Sequence, residues 1–405
     1  MLNIPIVVIA YNRPHSLARL IRSLDKASYP QRTDLIISID GGGNNEVINI
    51  AEGFNWKYGN KKIIRHTINL GLLKHVLSCG NLSQEYDGII VLEDDLYASP
   101  AFYSYILQAV DFYKNYDEIA GIALYNHSFN ETAQFPFHPI QDGSDIFFMQ
   151  LACSWGQCWT KQQWSNFIGW YNDPENLKIW NDCYIPTNIL MWSESSWKKY
   201  FTKYIIENNK YIAYPRISLS TNFGDKGEHH TKNKQFQVPL QFGDIIYKFK
   251  PISDSIAVYD AYCEILPSRL NRLIPDLKNY EYSIDLYGMK LLSNIDSEYI
   301  LTTKRIIGSP IFNYGKEMIP LEQNVIEKIN GNEIFLSKIK DCKDIDDYYY
   351  YRELRCSDVN ELYYHYKLSP THLQSQNCTI FNYLNRIRLF FLWQMRRLKC
   401  SIKSK

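Results

Sequence analysis

The sequence predicts an α/β fold with a mainly parallel sheet flanked by helices. Three observations carry that reading. Short apolar runs of strand length recur at residues 4–10, 35–39 and 89–92. Helical apolar spacing follows the first of them, at Leu17, Leu20, Ile21 and Leu24. Polar, chemistry-bearing residues stand where each run ends: Arg13, Asp40 and the triplet Glu93-Asp94-Asp95. Strands alternating with helices argue for βαβ units, and in such sheets ligands bind outside the carboxyl ends of the strands.

Residues 4–10 lead into Tyr11-Asn12-Arg13-Pro14, so strand, loop and helix are expected in succession. Residues 35–39 end in Asp40-Gly41-Gly42-Gly43, an acid before glycines that permit close backbone approach. Ile63 and Ile64 mark a weaker fourth strand. Asn69-Leu70-Gly71-Leu72 follows, with Lys74 and His75 at a helix start. Residues 89–92 form a continuous apolar run, the pattern of a strand buried on both faces. Three carboxylates directly after it repel one another unless a cation joins them. Hard oxygen ligands suit Mg²⁺ or Mn²⁺, which bridge protein carboxylates to substrate phosphates. The bland alternative is a solvated acidic turn.

These motifs, in this order, resemble those of GT-A glycosyltransferases over roughly residues 3–235. The nearer likeness is to bacterial family-2-type enzymes that build surface polysaccharides. A more distant one is to Golgi N-acetylglucosaminyltransferase I, which carries a comparable Glu-Asp-Asp. Cys153-Ser154-Trp155-Gly156, with Trp159 and Trp164, resembles the Trp-Gly-rich segment after the metal strand. Pro215-Arg216-Ile217-Ser218, Asn222-Phe223-Gly224-Asp225 and Gly227-Glu228-His229-His230-Thr231 resemble the closing segment.

The resemblance implies a GT-A, Rossmann-like fold and a nucleotide-sugar donor, UDP-linked, with Mn²⁺ or Mg²⁺. It implies that Asp40 hydrogen-bonds the base and that Arg13, Lys74 and His75 lie near the nucleotide. Asp95 is the implied direct metal ligand. Asp94 stands near the ribose or a metal-bound water, and Glu93 orients the site or touches the donor sugar. Lys226 and His230 belong to a loop that orders over the donor. An inverting transferase needs a base within reach of the acceptor hydroxyl. Glu194, in Trp192-Ser193-Glu194-Ser195-Ser196-Trp197, is the nearest acid, with Asp173 and Asp182 as alternatives. Glu194 reads equally well as a first-turn acid of a helix capped by Ser193.

The chain of 405 residues is long enough for two domains. Its division is expected at 1–245 for the transferase domain, 246–375 for an accessory α+β region, and 376–405 for a basic amphipathic helix. Lys plus Arg number 44 and Asp plus Glu 43, so no global field draws nucleic acid. Nine cysteines without a CxxC pair read as reduced thiols, hence a cytoplasmic setting. No signal peptide and no membrane-length apolar run are visible. Asp341, Asp344, Asp346 and Asp347 form an acidic cluster read as a solvated helix start rather than a second metal site. Residues 384–402 combine Leu384, Ile387, Phe391, Met395, Leu398 and Ile402 with only positive charges. That pattern reads either as an interfacial anchor at the inner face of the cell membrane, which would suit a lipid-linked or other saccharide acceptor, or as a helix docked on its own domain with a frayed basic end. Two other classes fit parts of the pattern. A sugar-1-phosphate nucleotidyltransferase needs a Gly-rich basic loop after its first strand, which Tyr11-Asn12-Arg13-Pro14 is not. A non-catalytic carbohydrate-binding scaffold fits the 32 tyrosines.

Overall fold

The computed structural model describes residues 2–133, 135–178, 184–225 and 236–344. The chain divides into two compact units. The first comprises Met1–Thr132, Phe137–Lys178 and Tyr184–Leu277. It is built on a nine-stranded sheet. In chain order the strands are β1 (Ile6–Ala10), β2 (Leu35–Ile39), β3 (Lys61–Arg65), β4 (Gly88–Glu93), β5 (Ile119–Ala123), β6 (Ile146–Met149), β7 (Gln157–Thr160), β8 (Tyr211–Pro215) and β9 (Val258–Tyr259). Across the sheet they lie in the order β9-β6-β8-β5-β7-β4-β1-β2-β3.

β1, β2, β3 and β4 run parallel. β7 enters antiparallel between β4 and β5, and β8 lies parallel to β5. The ends of β1, β2, β4, β5 and β8 therefore share one edge, and the chain enters β7 from that edge. β1 and β2 are buried at every position, which explains why they read as unbroken apolar runs. β3 is only partly buried, at the sheet margin, and its sequence signal is correspondingly weak.

Helix α1 (Pro14–Asp25) starts with Pro at its first turn, where the missing N–H costs nothing. It buries Leu17, Leu20, Ile21 and Leu24, the stripe predicted from spacing. Helices α2 (Asn45–Gly53), α3 (Gly71–Gly80) and α4 (Phe102–Tyr113) follow β2, β3 and β4. Helix α5 (Lys161–Tyr171) opens on a capping box between Thr160 and Gln163. Trp159 and Trp164 are fully buried, with ring centroids 4.5 Å apart, so both are core residues rather than site residues. Helix α6 (Trp197–Glu207) begins later than Ser193. Ser193 Oγ instead accepts the backbone N–H of Ser195, at 3.1 Å.

The boundary expected at residue 245 falls inside the first unit. β9 pairs parallel to β6, and Tyr247 and Phe249 pack on Tyr105 of α4. The second unit holds a four-stranded sheet of Tyr282–Asp285, Tyr299–Thr302, Ile334–Lys338 and Phe312–Tyr314, in that spatial order. Asp344 there accepts a bond from Lys304 Nζ at 3.1 Å and faces the Leu292 backbone N–H at 3.2 Å. It is an ion-pair partner inside that unit. Asp346 and Asp347 lie outside the described residues, as do residues 384–402. No helix among the described residues is long and apolar enough to cross a membrane.

Candidate active site

Three loops meet at the shared strand edge. β1 and β4 are adjacent and parallel, with Ile9 opposite Glu93, so the residues that follow each come together. Arg13, the residue before α1, reaches across to the acids. Its Nη1 donates to Asp95 Oδ2 at 2.9 Å, and its Nη2 donates to Asp94 Oδ1. Asp94 is buried and also accepts a backbone hydrogen bond from Tyr11. Glu93 accepts a side-chain hydrogen bond from Trp197, at the start of α6. Asp95 Oδ1 is buried and has no hydrogen-bond partner among the described residues.

The electrostatics follow from this crowding. Burial, and next the negative charge of Asp95, push the Glu93 carboxyl above the ordinary carboxylate range. Burial also raises Asp94, to about 6, against the opposing pull of Arg13. Burial alone would lower the Arg13 guanidinium, but Asp94 and Asp95 outweigh it and push it up.

The donor set fits a hard divalent cation. An unpaired buried carboxylate oxygen calls for a ligand, and Asp95 Oδ1 is one. Among the described residues no group of three or more His, Cys, Asp or Glu forms a metal cluster.

Asp40 lies beside this cluster at the end of β2. Its Oδ1 accepts the backbone N–H groups of Gly41 and Leu70, at 2.9 and 2.8 Å, and its Oδ2 that of Gly71, at 3.1 Å. The carboxylate thus caps the start of α3. A carboxylate offers about four lone-pair sites, so Oδ2 retains capacity for one further donor. The glycines after Asp40 serve the protein's own backbone first. A Cβ on Gly41 would lie 2.3 Å from the Ile68 carbonyl, and one on Gly43 would lie 2.2 Å from the Tyr11 carbonyl oxygen. The loops after β1, β2 and β3 are consequently packed against one another.

Lys74 is exposed on α3, whereas His75 is buried. His75 Nε2 is 2.8 Å from Ser38 Oγ, and its ring stands edge-on to His66 with centroids 5.1 Å apart. Burial pushes the His75 imidazole down, so it is neutral at physiological pH. Helical spacing correctly put it on α3, but packing between helix and sheet takes its ring away from solvent.

On the β5 and β7 side, Trp155 begins the turn into β7. Lys198 of α6 sits over the rings of Trp155 and Trp192, at 5.2 and 4.7 Å, and pairs with Glu131 at 3.3 Å. His127 stacks near Trp155 with centroids 6.4 Å apart. Its Nε2 is buried without a partner among the described residues, and burial holds the ring neutral, down to about 4. Sequence reading missed Glu131, His127 and Lys198. Their nearest sequence signal is Lys198 directly after Trp197. Glu194 lies in the turn before α6 with its side chain 73% exposed. Its carboxylate accepts from Lys199 Nζ and, at 2.8 Å, from Tyr200 Oη. Asp173 caps the short helix Pro174–Leu177. Lys226, His230 and Asp182 lie outside the described residues.

The return segment is pinned beside the first loop. The Phe223 N–H donates to the Asp95 carbonyl at 3.1 Å, and Asp225 accepts from Ser16 Oγ at 2.7 Å and from Arg19.

A mainly parallel α/β sheet of this class binds its ligands outside the carboxyl ends of its strands, where the arginine and the buried acidic pair stand. Within that class the chain is placed by its sequence. Residues 6–199 match the family model described as Glycosyl transferase family 2, and this stretch is a glycosyltransferase domain of GT-A fold. No curated protein matches the chain. Among solved structures, S. aureus TarS 1–349 in complex with UDP-GlcNAc is 14% identical at a TM-score of 0.36, over 56% of this chain and 60% of that one. GalNAc-T7 with UDP, GalNAc and Mn²⁺ is 10% identical at 0.37, over 53% and 43%. The mannosyltransferase PcManGT from Pyrobaculum calidifontis, in complex with GDP-Man and Mn²⁺, is 9% identical at 0.29, over 40% and 45%. The chain spans 36% of the longer TarS chain and 60% of the shorter one.

Proposed function

We propose that this chain is a metal-dependent, inverting glycosyltransferase. It moves a hexose or N-acetylhexosamine from a UDP-linked donor to a saccharide or lipid-linked acceptor in bacterial surface polysaccharide synthesis. One observation carries the reading: Arg13, Asp94 and Asp95 converge at the carboxyl edge of a family 2 domain, with Asp95 Oδ1 buried and without a partner among the described residues.

In this reading Asp95 is the protein's ligand to Mn²⁺ or Mg²⁺, with Asp94 behind it. Such an ion supplies Lewis-acid stabilisation to the departing diphosphate. Asp40 uses its remaining acceptor site for the base. Arg13 stands where a phosphate oxygen meets its guanidinium fork. The acceptor oxygen bonds to the anomeric carbon as the bond to the diphosphate oxygen breaks. The leaving nucleoside diphosphate keeps that electron pair. Glu194, oriented by Lys199 and Tyr200, takes the hydroxyl proton. Residues 384–402, basic and amphipathic in sequence, hold the enzyme at an anionic membrane face.

The test is a panel of nucleotide sugars incubated with the full chain, with Mn²⁺ or with EDTA. Metal-dependent release of a nucleoside diphosphate from one donor supports the reading. Metal-independent saccharide binding without any donor hydrolysis would instead favour a carbohydrate-binding scaffold.

A further inference from the structure

Arg13 is placed against the acids where a cation is expected to act. It takes one oxygen from each of two neighbouring carboxylates, Asp94 Oδ1 and Asp95 Oδ2, through separate guanidinium nitrogens. The side chain is 23% exposed, and those of Asp94 and Asp95 are 4% and 14% exposed. Charges this sheltered from water feel one another more strongly than surface pairs do. Glu93 aside, two carboxylates less one guanidinium leave this cluster a single net negative charge. A free divalent cation approaching Asp95 Oδ1 meets that reduced charge and the repulsion of Arg13.

A diphosphate changes the balance. It brings negative charge of its own, and the guanidinium fork matches phosphate oxygens as well as carboxylate oxygens. With a phosphate to bind, Arg13 no longer needs both aspartates, and their oxygens become available to the metal. We infer that Arg13 is a built-in competitor of the divalent cation, which makes metal binding depend on the donor diphosphate. The inference rests on the metal-dependent reading above. Coupling of this kind is reciprocal: whatever factor the diphosphate adds to metal affinity, the metal adds to diphosphate affinity.

The experiment measures Mn²⁺ binding to the full chain by electron paramagnetic resonance, with and without UDP, in wild type, Arg13→Gln and Arg13→Lys. Wild type is expected to bind Mn²⁺ weakly alone and at least about tenfold more tightly with UDP, a step of ~1.4 kcal/mol. Arg13→Gln is expected to bind Mn²⁺ alone about tenfold more tightly than wild type, by the same conversion. Its gain from UDP shrinks. Arg13→Lys keeps the charge but loses the fork, so its Mn²⁺ affinity without UDP falls between the two. Circular dichroism checks that each variant is folded. A folded Arg13→Gln that binds Mn²⁺ no better than wild type overturns the inference. If that variant does not fold, an Arg13→Lys affinity equal to wild type overturns it. A wild type that binds no Mn²⁺ even with UDP overturns the metal-dependent reading beneath it, and with it the inference.

Discussion

Trp197 donates a hydrogen bond to the carboxylate of Glu93, and so ties the start of α6 to the end of the central strand β4. The next residue on α6 is Lys198, seated between Trp155 and Trp192. The start of α6 therefore joins the acidic triplet to the aromatic cluster around Trp155 and Trp192.

Trp197→Phe removes that hydrogen bond and keeps an aromatic ring. The bond favours charged Glu93 while burial disfavours it, so its loss pushes the Glu93 carboxyl further up. The acidic limb of the kcat/KM profile is expected to move to higher pH. Activity near neutrality is expected to fall with it. A pH–rate profile that superimposes on wild type would remove Glu93 ionisation from the reaction.

Asp40→Ala is expected to act on two quantities together. UDP affinity falls about tenfold or more, the loss of a charged hydrogen bond to the base. The melting temperature also falls, because the Leu70 and Gly71 N–H groups lose their cap, a change of ~1 kcal/mol. Calorimetry of UDP binding beside a thermal melt separates the two. A fall in stability with unchanged UDP affinity would make Asp40 a loop-builder only.

Glu194→Gln and Glu131→Gln compare the two acids that pair with lysines of α6. If Glu194 is the base, its amide variant loses about 10²–10⁴-fold in kcat, the usual share of general-base catalysis. Glu131→Gln then affects mainly KM, because Glu131 is paired with Lys198. The reverse pattern would move the base to Glu131. Both variants should keep their affinity for UDP, measured by calorimetry.

Asp142 gives a stability test away from the site. Burial would raise its carboxyl, but Ser255 and Ser144, each donating a hydroxyl at 2.7 Å, and Arg216 at 3.1 Å outweigh it. The carboxyl is held well below the usual range. A folded-state value below the unfolded one adds stability above the unfolded pKa and loses it as pH falls through the folded value. Asp142→Ala should therefore cost roughly 3 kcal/mol near neutral pH. The gap to wild type should narrow only below about pH 4, near the unfolded Asp value. Urea melts at the two pH values measure it. An equal gap in acid would show that packing, not the charge, is what Asp142 supplies.

The legible parts of this fold are those whose signal is local. Residues 35–39 read as a strand and are one to the residue, because β2 is buried on both faces. The α1 stripe and the acids after β4 were equally plain. What stayed hidden depends on residues distant in sequence. The role of Asp40 as the cap of α3 is set by Leu70 and Gly71, thirty residues on. The burial of His75 depends on Ser38 and His66. The pairing of Arg13 with Asp94 and Asp95 spans about eighty positions. The two residues of β9 are too few for a period, and the first unit continues past residue 245, where the resemblance fades.

The most direct measurement is UDP and Mn²⁺ binding by calorimetry in wild type, Asp95→Ala and Asp95→Asn. Asp95 Oδ1 is the proposed metal ligand, and a neutral amide is a poorer ligand for a hard cation. Wild type should bind UDP with Mn²⁺ and lose most of that affinity in EDTA. Both variants should stay folded, bind no Mn²⁺ and transfer no sugar. Variants that keep near-normal, EDTA-sensitive binding and turnover would contradict the claim that the acids after β4 are the metal site.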